Sequence, residues 1–204
     1  MPNSEVLLHE LHHRVKNNFQ IIVSLMNLKK RLMPPERRGD IRLIEEHVQS
    51  MAVAYRLVYA TGEMIEISVG SLVHEILSGL RHIAGVPAEQ LVVETPIPAP
   101  FIGLDQAIAL GLYLSVLLPP YLDDALATGT TLRVTLDAAD GLVTVSVEPG
   151  GDKPVALDAL RRRLLQAYIG QLRAEAPEPL GSGPREIRFT LDQRRQSMIP
   201  GVQG

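Results

Sequence analysis

Between Leu8 and Leu32 the residues Leu8, Leu11, Val15, Asn18, Ile22, Leu25, Lys29 and Leu32 fall at alternating steps of three and four, and all but two are apolar. Only a helix places such residues on one side, and a stripe of this kind is the seam of a bundle or coiled coil. A helix is predicted from Ser4, its N-cap, to Leu32, with Pro34 and Pro35 stopping it. Glu36 to Asp40 form a polar turn. A second helix runs from Asp40 to Tyr59, where Ile41, Ile44, Val48, Met51, Tyr55 and Val58 repeat the steps. Two long helices with a short connection fold back as an antiparallel hairpin. A lone hairpin leaves its seam uncovered, so pairing with a second copy into a four-helix bundle is expected. Asn18 at a seam position would then set register or oligomeric state.

The pattern changes after Thr61-Gly62. Met64 to Val69 and Leu91 to Thr95 are strand candidates, with a helix from Ser71, as its cap, to Ala84 between them. A Pro-rich loop spans Pro96 to Pro100. Leu104 to about Ala127 is helical and nearly all apolar, with Pro119-Pro120 expected to break or kink it. Thr131 to Asp137 and Leu142 to Glu148 alternate as strands around a turn at Asp140-Gly141. A helix over Val155 to Ala174 and a strand over Glu186 to Leu191 complete the set. The prediction is an α+β chain: a helical hairpin over 1–62, a two-layer α/β sandwich over 63–192, and a flexible tail over 193–204.

Of the 204 residues, 46% are hydrophobic, but only Tyr and Phe, five and three, supply aromatic rings, so the core is aliphatic. A net charge of −3 gives no global basic field for nucleic acid. With no cysteine, disulfides and thiolate metal sites are excluded, which fits a reducing compartment. The polar start lacks a signal-peptide core, and the apolar run from Ala107 to Leu118 is too short to span a bilayer. A cytoplasmic protein is expected.

His13 lies in the heptad position farthest from the seam. An exposed imidazole at neutral pH is largely an unprotonated nucleophile open to a second macromolecule. Glu10, Lys16 and Asn17 stand three or four residues away on the same face, and Arg14 flanks it. Lys16 can offset phosphate charge, Asn17 can hydrogen-bond a phosphoryl oxygen or an attacking water, and Glu10 can orient the ring. Singly, each of these residues also suits a solvated bundle surface. The same segment carries His9-Glu10-Leu11-His12-His13, the H-E-x-x-H spacing of zinc hydrolases, with His9 and His13 as ligands and Glu10 as base. No third ligand follows at a recognisable spacing, and the helix offers no cleft. His47, His74 and His82 are isolated, and the basic group Lys29, Lys30, Arg31, Arg37 and Arg38 reads as a solvated hairpin end.

The run ELHHRVKNNFQ, Glu10 to Gln20, resembles the phosphoacceptor helix of bacterial sensor histidine kinases of the HWE type and their HisKA-type relatives. His13, Arg14 and Asn17 match its His-Arg-x-x-Asn core, so the resemblance implies that His13 is phosphorylated. Weaker likeness continues through Tyr55 to Tyr59, Leu104 to Ala107, Leu110 to Leu112 and Gln171-Leu172. It implies a dimerising hairpin followed by an ATP-binding sandwich of the GHKL kind.

Departures from that family follow in order. Val116 and Pro120 stand where the family has a Glu and, four residues on, the Asn that holds magnesium and ATP phosphates; neither side chain ligates a cation. Glu148-Pro149-Gly150-Gly151-Asp152 replaces the adenine-reading Asp and its Gly-rich loop. Ala159-Leu160-Arg161-Arg162-Arg163 replaces a Gly-rich turn, and Gly183-Pro184 replaces Gly-Thr. Gly181-Ser182-Gly183 reads as a flexible turn. The expectation is a sandwich that binds no ATP, with no cofactor of its own. The chain is expected to act as a histidine phosphotransferase, passing phosphate between receiver aspartates through His13. The receiver supplies magnesium and docks near Glu10, Arg14, Lys16, Asn17 and Gln20. A divergent autokinase and a non-catalytic receiver-binding scaffold are the alternatives.

Overall fold

The computed structural model describes residues 2–60, 66–96, 98–151, 155–176 and 185–191; within them the side chains of 2–13, 16, 39, 40 and 58–60 are outside the description. Helix α1 spans Pro2–Leu32 and α2 spans Arg42–Ala60, joined by a 3-10 turn over Pro35–Ile41. The first helix starts ahead of the expected cap at Ser4. Pro2 suits a first turn, where its missing N–H has no intrahelical partner to lose.

From Asn18 onward the face of α1 that meets α2 is not the predicted seam, of which Val15 does face α2 while the side chains of Leu8 and Leu11 lie outside the description. Val15, Phe19, Val23, Met26, Lys30 and Met33 are half-buried, whereas Asn18, Ile22, Leu25, Lys29 and Leu32 are exposed. The Phe19 ring lies 5.2 Å from that of Tyr55, and Lys30 Nζ reaches Glu45 Oε2 at 2.7 Å. These two contacts set an antiparallel register. Both stripes of α1 have steps of three and four, and α2 covers only one of them. The other remains an open apolar strip in which Leu25 is 59% and Leu32 79% exposed.

After the hairpin come β1 (Glu66–Ser68), α3 (Val69–Ala84), β2 (Leu91–Glu94), β3 (Phe101–Gly103) and α4 (Leu104–Thr128). Next are β4 (Leu132–Ala139), β5 (Leu142–Glu148), α5 (Ala159–Leu172) and β6 (Glu186–Thr190). The main sheet has the order β2-β4-β5-β6, with β2 parallel to β4 and the other pairs antiparallel. β1 and β3 form a separate antiparallel ribbon. The short β3 was not expected, because three residues between a proline loop and a helix show no alternation.

Several boundaries move for identifiable reasons. Ser68, not Ser71, caps α3: its backbone is extended, its Oγ accepts from the Ser71 N–H, and the helix begins at Val69. Helix α5 is shorter than predicted at its start because Asp158 caps it, Oδ1 accepting from Arg161 N–H at 2.8 Å. It ends on Arg173 in the left-handed region at φ 51°, with Ala174 N–H closing on Ile169 O. The β4–β5 turn matches expectation: Asp140 and Gly141 have φ 52° and 78°, as a type I′ turn requires.

Helix α4 runs unbroken through Pro119-Pro120. The prolines do remove two helical N–H donors, but burial on all sides holds the segment in place. Leu114, Leu117, Leu118 and Leu122 are at most 1% exposed, and each such side chain contributes roughly 1.5–3 kcal/mol. The inner sheet face supplies Leu132, Val134, Val143, Val145, Val147, Ile187 and Phe189 to the same core. Helix α2 enters it too: Ala54 is fully buried, and a Cβ placed on Gly111 of α4 would sit 3.6 Å from Ser50 Cβ and 3.0 Å from Ile76 Cδ1. Met64, Asp152, Gly181 to Pro184 and the tail 193–204 lie outside the described residues.

Candidate functional site

The backbone of His13 is helical, and the register fixed by Phe19–Tyr55 brings it level with the C-terminal end of α2. The side chains of His9, Glu10, His13 and Lys16 are outside the description, so the phosphoacceptor geometry and the zinc spacing have no side-chain account. Arg14, Asn17 and Gln20 are described, and all three are exposed. Residues 13, 17, 20 and 24 share one face at steps of four and three. On that face Ser24 Oγ donates to the Gln20 carbonyl at 2.8 Å. Asn17, Gln20 and Ser24 border an open groove with Ile21, Leu25 and Leu28. One flank of α1 is thus polar and in line with His13, and the adjoining flank is apolar and uncovered.

Three of the positions that depart from the kinase pattern, Val116, Pro120 and Arg161, converge on one backbone carbonyl at the start of α5. Val116 is fully buried, so its side chain faces the core. Pro120 has no N–H to give to the carbonyl four residues earlier, that of Val116. Arg161 Nη1 donates to that carbonyl at 2.8 Å, while Arg161 Nε lies 3.6 Å from Asp158 Oδ2. A guanidinium therefore occupies the corner between α4 and α5. Gly150 is needed for the chain's own packing, since a Cβ there would meet the Thr131 carbonyl at 2.6 Å. Glu148 stands on the outer sheet face beside Arg133, 3.9 Å from its Nε, and Val147 points inward.

Sequence reasoning missed a charged cluster beside this corner. Arg42 of α2 forks onto Asp123 of α4, its two Nη atoms each 3.0 Å from a carboxylate oxygen, and Nε donates to Glu46 Oε1 at 2.8 Å. Glu46 is 1% exposed, and its Oε2 has no hydrogen-bond partner among the described residues. Burial raises the Glu46 carboxyl above the usual carboxylate range, against the pull of Arg42 and Arg161. His47 donates from Nδ1 to the Leu43 carbonyl at 2.7 Å and stacks obliquely 6.0 Å from Tyr168 of α5. Burial lowers its pKa, and the Leu43 bond acts the other way. The only local signal was the four-residue step from Arg42 to Glu46. His74 and His82 are exposed, as expected of isolated histidines.

Residues 10–84 match HisKA_2, a histidine kinase family. No curated protein matches the chain. The histidine kinase domain of the Erythrobacter litoralis EL346 blue-light activated histidine kinase aligns over 94% of this chain and 95% of its own, at 19% identity and TM-score 0.56. A longer chain of the EL346 blue-light activated kinase aligns at 22% identity and TM-score 0.59. That match covers 92% of this chain and 63% of the longer one. The fold is that of a histidine kinase domain, a helical N-terminal part followed by an α/β part. Among the described residues, no helix is long and apolar enough to cross a membrane.

Proposed function

We propose that this histidine kinase-like chain, matched to that family over residues 10–84, is a histidine phosphotransferase of a phosphorelay, with His13 as the phosphoacceptor. The observation that carries the reading is the Arg161–Val116 contact. It supports the reading because Val116, Pro120 and Arg161 stand at positions where the resemblance implies a nucleotide site, and here a guanidinium of the chain itself lies against that backbone. A chain that keeps the acceptor pattern on α1 while its own guanidinium occupies the corner between α4 and α5 takes its phosphate from a protein and not from nucleotide.

In the proposed step an imidazole nitrogen of His13 attacks the phosphorus of a receiver's aspartyl phosphate. The N–P bond forms, the acyl-phosphate O–P bond breaks, and the aspartate leaves as a carboxylate. Reversal onto a second receiver completes the relay. The receiver brings its own magnesium. This chain contributes a positioned nucleophile, with Arg14, Lys16 and Asn17 on the phosphoryl oxygens and Glu10 orienting the ring. The receiver lies along the Asn17–Gln20–Ser24 flank, while residues 63–192 serve as a docking and specificity surface in a cytoplasmic setting.

The uncovered strip of Ile21, Leu25, Leu28 and Leu32 with Ile44, each more than half exposed, suits a second copy completing a four-helix bundle. An exposed apolar stripe along a helical face is an interface signature. The test is to mix the protein with a phosphorylated receiver and follow acid-labile phosphate. Phosphate should move to the wild type and not to His13→Ala. No transfer in either direction would sink the proposal.

The HisKA_2 match and the kinase-domain fold favour one second reading, a divergent autokinase. Incorporation of labelled phosphate from ATP, abolished by His13→Ala, would decide for it.

A further inference from the structure

The chain's second helix is held by three elements of the sandwich along most of its length. At its start, Arg42 forks onto Asp123 of α4 while also holding Glu46. In the middle, Ser50 is 2% exposed and packs where Gly111 lets the helices approach. Glu46 and Ala54 are buried on the same side, and His47 lies against Tyr168 of α5. Near its end, Arg56 pairs with Glu75 of α3 at 2.7 Å. Arg42–Asp123 is bidentate, the geometry in which a guanidinium–carboxylate pair is most directional.

We propose that these contacts lock α2 onto the sandwich, so that the hairpin and the sandwich move as one body. Parting them would strip Arg42 of Asp123 and open the packed Ser50–Gly111 and Ala54 contacts to water. The locked geometry has a consequence. The Glu46 level of α2 lies opposite Lys30 of α1, next to the Lys30–Glu45 pair. His13 is seventeen residues back along α1, about 25 Å away at a rise of about 1.5 Å per residue. The Val116–Pro120–Arg161 corner therefore stays far down the hairpin from His13, whereas the receiver flank at Asn17 and Gln20 stays open. The lock rests on packing alone; its consequence for phosphate flow rests on the relay reading above.

The test is a reversible cross-link. The chain has no cysteine, and the Cβ–Cβ separation of 3.6 Å between positions 50 and 111 falls within the disulfide range of about 3.5–4.5 Å. The Ser50→Cys/Gly111→Cys pair should oxidise completely. The oxidised protein should then accept phosphate from a phosphorylated receiver within about twofold of the reduced protein. Failure to cross-link, or a tenfold or greater loss on oxidation that dithiothreitol restores, overturns the lock. Hydrogen exchange on the wild type gives an independent reading: α2 amides 46–57 should be protected within about tenfold of those of α4. Exchange a hundredfold faster than α4 overturns the lock whatever the transfer assay shows. Absence of transfer in both redox forms, with α2 protected, supports the lock and counts against the relay.

Discussion

The Arg161 guanidinium donates to the Val116 carbonyl at 2.8 Å, and that carbonyl is the one Pro120 leaves without a helical donor. The two departures from the kinase pattern are thus physically complementary: one vacates an acceptor inside a buried helix and the other fills it from α5. Arg161→Met should destabilise the protein by about 1–3 kcal/mol, the range for leaving one buried polar group unpaired. Adding Pro120→Ala supplies the missing N–H and should recover much of that loss. Urea unfolding of the two single variants and the double variant checks this, and simple additivity would refute the coupling.

Magnesium-ATP should leave the unfolding temperature unchanged. A site occupied at a hundred times its dissociation constant would raise stability by about 2.7 kcal/mol, a readily measured shift. Differential scanning fluorimetry with millimolar nucleotide is the check.

Asn17 is exposed, so Asn17→Ala should fold as the wild type does. Loss of one charge-assisted hydrogen bond to a phosphoryl oxygen, about 1.5 kcal/mol, corresponds to transfer slowed roughly tenfold. Rapid-quench transfer from a phosphorylated receiver measures it.

Leu25 and Leu28 sit on the uncovered strip, 59% and 55% exposed in the single chain. Leu25→Asp with Leu28→Asp should convert a dimer into a monomer without loss of helix content. Light scattering coupled to gel filtration, with circular dichroism, reads both quantities.

Glu46 and His47 pull the pH dependence of stability in opposite directions. The Glu46 carboxyl is raised by burial, so its favourable contribution is present below the ordinary value of 4.5 and is lost as pH rises through the folded value. Glu46→Gln should gain stability relative to the wild type as pH rises across the same window. The His47 pKa is lowered by burial, so its contribution is present above 6.5 and is lost as pH falls through the folded value. His47→Gln should therefore flatten the acid side. Thermal unfolding from pH 5 to 8 separates the two.

The sequence alone determined that residues 8–32 and 41–58 are helical with a stripe to bury, that a turn falls at Asp140-Gly141, and that His13 lies on the first of those helices. It also marked Val116, Pro120 and Arg161 as departures from the pattern that the resemblance implies. Such features are local, because a helix or turn is written in spacings of a few residues. Only the tertiary structure decided which of two equally spaced stripes of α1 meets α2. It also decided that α4 continues through two prolines, that Arg161 answers Pro120, and that Arg42 reaches Asp123, 81 residues away. These choices depend on which surfaces end up facing each other. A period of three and four residues is the same on either stripe, and a guanidinium far along the chain leaves no mark beside the carbonyl it will fill.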